Sequence, residues 1–83
     1  MNIHSQIDDA IFTYLGTANG NWRKVAMVIG RAANSITENP IDEAYEMVAR
    51  RIEALVAGQK LLSRGDITNW RYSEIRIPDE TSL

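Results

Sequence analysis

Cysteine is absent from the 83 residues, and histidine occurs once. Without cysteine there are no disulfides, thiolate nucleophiles or sulfur-ligated metals, and the fold has to rest on packing. A reducing cytoplasm is the simplest setting for such a chain. No stretch approaches the ~20 apolar residues that cross a bilayer, and Met1-Asn2-Ile3-His4-Ser5-Gln6 has neither a basic region nor an apolar run. The reading is therefore a soluble, unexported protein with no membrane partner.

Catalytic material is equally scarce. His4 stands near a terminus with no partner visible in sequence, so a solvated imidazole is expected there and not a general base. Asp8 and Asp9 are adjacent on a helical pattern and cannot face one another as a carboxylate pair. Asp42, Glu43 and Glu46 have the chemistry to collect a divalent cation, but helix-dipole complementation accounts for the first two without one. The glycines form no phosphate-binding loop. No catalytic residue, metal site or cofactor is assigned, and the expected role is non-enzymatic.

What is present is enough for one core. At 83 residues and 45% hydrophobic content the chain fits a single domain, with a core over residues 3–78 and a tail over 79–83. Net charge is −2, and its distribution is uneven. Residues 1–46 hold six acids and three bases; residues 47–78 hold six bases and three acids. Such polarity orients partners, while the acidic total argues against a bulk nucleic-acid binder.

Ile3, Ile7, Ile11 and Leu15 recur at helical spacing and predict a first amphipathic helix ending at Gly16. Thr17 to Asn21 reads as a turn, with Asn21 as N-cap of a second helix marked by Trp22, Val25, Ala26, Ile29, Ala32, Ala33 and Ile36. Gly30 inside that helix predicts a close approach by a neighbouring helix. Asn39-Pro40 reads as N-cap and first position of a third helix, with Asp42 and Glu43 in its first turn and Gly58 as its stop. From there to Pro78 the chain is rich in β-formers interrupted by Gly65-Asp66 and Asn69, which predicts a hairpin. Three helices followed by a C-terminal β-hairpin make an α+β domain of winged helix-turn-helix type.

At Trp22-Arg23-Lys24-Val25-Ala26, at Arg51-Ile52-Glu53-Ala54-Leu55, and at Gly65-Asp66 followed by Trp70-Arg71-Tyr72-Ser73-Glu74-Ile75-Arg76, the chain resembles a bacterial domain of unknown function, often the C-terminal part of longer proteins. The resemblance covers most of residues 6–78 and implies a fold; no activity comes with it.

Winged helices grip either nucleic acid or protein. For nucleic acid, Arg64 and Arg71 near the ribbon tip and Arg23, Lys24 and Arg31 on the second helix are the candidate phosphate contacts. Against it, the start of the third helix, which would approach base edges, carries Asp42, Glu43 and Glu46. A protein partner is therefore expected, through those three acids and through Arg64, Trp70, Arg71 and Tyr72 on the ribbon. The chain then serves as an adaptor or an immunity-type protein, with homodimerisation through the first helix as a further option and DNA-binding regulation as the alternative. Within the fold, Glu46 and Glu53 flank Arg50 as a solvated face, Arg51 is expected to pair with Glu74, and Trp22 is expected in the core.

Overall fold

The helical stripes read from the sequence become the core of the protein. In the computed structural model, which describes residues 3–17, 20–36 and 41–78, the chain forms α1 (Ile3–Gly16), β1 (Arg23–Lys24), α2 (Val25–Ser35), α3 (Ile41–Ala57), β2 (Leu62–Arg64), a 3-10 turn (Trp70–Tyr72) and β3 (Glu74–Arg76). Ile7, Ile11 and Leu15 of α1 meet Val28, Ile29 and Ala32 of α2 and Val48, Ile52 and Leu55 of α3, and all are buried. Fully burying each of the larger side chains contributes roughly 1.5 to 3 kcal/mol. The buried contributions of α2 and α3 include Ala32, Ala33, Ala44 and Ala49, small residues that let helices pack closely. The expected N-cap and first-turn pair Asn39-Pro40, and the tail 79–83, lie outside the described residues.

The strands form one antiparallel sheet in the order β1-β3-β2, with Arg23 opposite Ile75, Lys24 opposite Glu74, and Leu62, Ser63 and Arg64 opposite Arg76, Ile75 and Glu74. This is a winged-helix-like α+β layout. Side chains alternate between sheet faces. Ile75, fully buried, and Ser63 therefore share the inner face with Arg23, while Lys24, Glu74, Arg64, Arg76 and Leu62 share the outer one. Ile75 and Leu61 carry the sheet into the helical core.

Several local expectations are corrected. α2 begins at Val25 and not at Trp22, because Arg23 and Lys24 are used as a strand, so Asn21 is not its N-cap. Trp22 is only half-buried and is not part of the core cluster. A Cβ built on Gly30 would meet nothing within 4 Å, so no helix closes on that residue. α3 stops around Gly58, but the left-handed residue is Gln59, at φ 63°. Its N–H donates to the Val56 carbonyl at 3.0 Å and that of Lys60 to the Leu55 carbonyl at 2.8 Å, closing a Schellman motif with a glutamine in the position glycine usually holds.

The connection from β2 to β3 is no simple hairpin loop. Gly65 adopts φ +79°, and a Cβ there would stand 2.6 Å from the Tyr72 carbonyl oxygen. Asp66 Oδ1 accepts from the Thr68 N–H at 3.0 Å and from its hydroxyl at 2.7 Å, an Asx-turn. The Asn69 N–H donates to the Asp66 carbonyl, the Tyr72 N–H to the Asn69 carbonyl, and the buried Ser73 hydroxyl to the same Asn69 oxygen at 2.8 Å. The Val25 N–H at the start of α2 donates to the Ser73 carbonyl. The wing is thus a compact turn tied to the second helix.

Candidate functional site

Of the five cations expected to contact phosphate only Lys24 and Arg64 share a surface, the outer face of the sheet. Arg23 lies on the inner sheet face and is half-buried. Arg31, on α2, is exposed with its guanidinium 5.8 Å from the Tyr14 ring centroid, where it lines an open groove of about 540 Å³ between α1 and α2 together with Asp9, Thr13 and Asn34. Arg64 is held by Glu74, whose Oε1 accepts from Nε at 2.8 Å and forms an ion pair with Nη2 at 2.8 Å. Lys24, on β1 and not on α2 as expected, and Arg71, on the 3-10 turn, are exposed.

The expected ribbon surface is divided in the same way. Residues 70–72 form a 3-10 turn, so Trp70 and Tyr72 do not share a strand face. Trp70 packs against the hydrophobic core, whereas Tyr72 is 78% exposed. The aromatic ring beside Arg64 is Trp22, with the guanidinium carbon 4.4 Å from its centroid. Arg76 lies over the same ring at 5.4 Å and donates from Nη1 to the Gly20 carbonyl at 3.2 Å, while its Nε is buried without an acceptor. Continuing the pairing of Arg23 with Ile75 back by one residue puts Trp22 beside Arg76, so its ring belongs to the outer face of the sheet. Sequence reasoning missed Trp22 and Arg76 as surface residues. The available signal was the Arg23-Lys24 dipeptide, which a third strand can use, but two residues are too few to show an alternation.

The acids at the start of α3 stand as expected: Asp42, Glu43 and Glu46 are all exposed. With Glu53 also exposed and Arg50 the exposed base among them, this helix face carries net −3. No ion pair joins Arg50 to Glu46 or Glu53, consistent with a solvated face. The expected pair of Arg51 with Glu74 is absent. Arg51 binds Asp8 of α1 instead, Nε to Oδ1 at 2.8 Å and Nη2 to Oδ2 at 2.7 Å. That hydrogen-bonded carboxylate raises the Arg51 pKa. Glu74 is occupied by Arg64 because the two residues are cross-strand partners. In contrast, Thr68 holds the Asp66 carboxyl below the usual range by its hydroxyl first and its N–H second.

Among the described residues there is no group of three or more histidines and acids placed to hold a metal ion, and no helix long and apolar enough to cross a membrane. Comparison with family models, with curated proteins and with solved structures returned no match.

Proposed function

We propose that this domain is a non-enzymatic protein-recognition module, of adaptor or immunity type, in which the winged scaffold presents charge to another protein. The observation that carries the reading is the net −3 on the exposed face of α3, with Asp42, Glu43 and Glu46 clustered where a recognition helix would meet base edges. Duplex DNA carries one negative charge per ~1.7 Å of its axis. A helix of that sign entering a groove brings each carboxylate close to phosphates at a cost on the order of 1 kcal/mol even in high dielectric. The placing of the cations supports the same reading, since none of the five expected at phosphate lies on α3: Arg23 is on the inner sheet face, Arg31 sits on Tyr14, and Arg64 is paired with Glu74 while its side chain stays more than half exposed.

DNA-binding regulation is the second reading, favoured by the exposed Arg71 and Lys24 beside the wing. Titration of the protein against random duplex DNA at about 50 mM and about 200 mM salt separates the two. The protein-recognition reading expects no saturable binding at either salt. Tight binding that weakens steeply with salt would replace it with the regulator.

A further inference from the structure

We infer that the outer face of the sheet is a docking surface for an acidic peptide segment of the partner, read by Arg64, Arg76 and Lys24 around Trp22. The inference rests on the protein-recognition reading and names the chemistry of the partner. Cross-strand pairing aligns Lys24, Glu74 and Arg64 in one row across all three strands, and Arg76 and Leu62 in the next. Three cations and one carboxylate on this face leave it at net +2 in a chain of net −2. Trp22 fixes two of the guanidiniums, at 4.4 and 5.4 Å from its centroid, so their geometry exists before any ligand arrives.

The local bonding leaves this charge under-satisfied. Glu74 is engaged by Arg64 through one hydrogen bond and an ion pair, so the unmet charge is that of Arg76 and Lys24. Arg76 has a single backbone carbonyl as acceptor and a buried Nε with none. A guanidinium desolvated against an indole without a carboxylate gains more from an incoming carboxylate than a fully hydrated one does. Leu62, 39% exposed on the same face, adds an apolar contact. β2 is an edge strand of the sheet, so its outer backbone groups are open to an extended segment.

A short acidic peptide fits better than a nucleic acid. The patch is made by two- and three-residue strands, a length that a peptide of a few residues matches. A segment of a few Asp or Glu residues remains on the patch.

The test is fluorescence anisotropy of the intact domain with labelled octaglutamate, with an uncharged octapeptide, octathymidylate and random duplex DNA in parallel, at low and moderate salt. Octaglutamate is expected to bind, to weaken with salt, and to lose at least fivefold in affinity in Arg76→Gln and in Lys24→Gln. Lys24→Gln leaves both Trp22 stacking contacts in place, so its loss does not depend on the packing of the tryptophan. Arg50→Gln, on α3, is expected to bind as the parent does. Failure of octaglutamate to bind, or binding indifferent to Arg76 and Lys24, overturns the docking surface alone. Tighter binding of octathymidylate overturns its assignment to a peptide, and salt-sensitive binding of duplex DNA overturns the protein-recognition reading beneath it.

Discussion

Gly65 is the residue at which the wing depends most on one missing atom. Its positive φ and the 2.6 Å approach that a Cβ would make to the Tyr72 carbonyl act together. Gly65→Ala is therefore expected to destabilise the domain by about 2 to 3 kcal/mol in urea denaturation. Two other substitutions should move stability upward. Gly30 lies mid-helix with open space where a side chain would stand, so Gly30→Ala is expected to stabilise by about 0.5 to 1 kcal/mol. Gln59 holds the left-handed position after α3, and Gln59→Gly is expected to stabilise by roughly 1 kcal/mol through relief of that conformation. The sequence marks Gly58 as the stop but not the left-handed residue after it, since a Gln after Gly carries no signal of its own. Gly30 was misread because the neighbour that would justify a glycine is a tertiary fact.

The helices were legible at the scale of elements because their apolar residues recur often enough to define a face: Ile7, Ile11 and Leu15 are all buried where the spacing put them. The strands were legible only in part. β1 and β3 have two and three residues, and β1 exists because β3 returns beside it. That displaced Trp22 from core to sheet face, and the 3-10 turn likewise separated Trp70 from Tyr72. Between helices, the bidentate Arg51–Asp8 pair ties α3 to α1 with both side chains about a quarter exposed. A double-mutant cycle with Asp8→Asn and Arg51→Met is expected to give a coupling of about 1 to 2 kcal/mol, and a cycle between Arg51 and Glu74 none. In the wing, the Thr68 hydrogen bonds favour the charged form of Asp66 in the folded state. The stabilisation is therefore present above the unfolded carboxylate pKa and lost as pH falls through the lower folded value. Carbon-detected NMR titration is expected to show Asp66 ionising below the usual aspartate range, and less far below it once Thr68→Ala removes the hydroxyl bond and leaves the backbone N–H.

For the whole molecule the decisive feature is the segregation of charge between two faces. α3 carries net −3 on its exposed side and the outer sheet face net +2. The half-by-half imbalance in sequence foretold a polarised molecule, and the acids of α3 were identified residue by residue. Of the basic pole, Lys24 and Arg64 were named but placed on different elements and Arg76 was not, because strand pairing joins Lys24 to Arg64 and Arg76 across some forty and fifty residues. The central claim is that the acids of α3 keep this winged scaffold off DNA. It is tested most directly by comparing the parent chain with the triple variant Asp42→Lys, Glu43→Lys, Glu46→Lys in titrations against random duplex DNA at about 50 mM salt. The account expects no saturable binding by the parent and salt-sensitive binding by the variant. Tight, steeply salt-dependent binding by the parent, unchanged when the three acids are reversed, would contradict it.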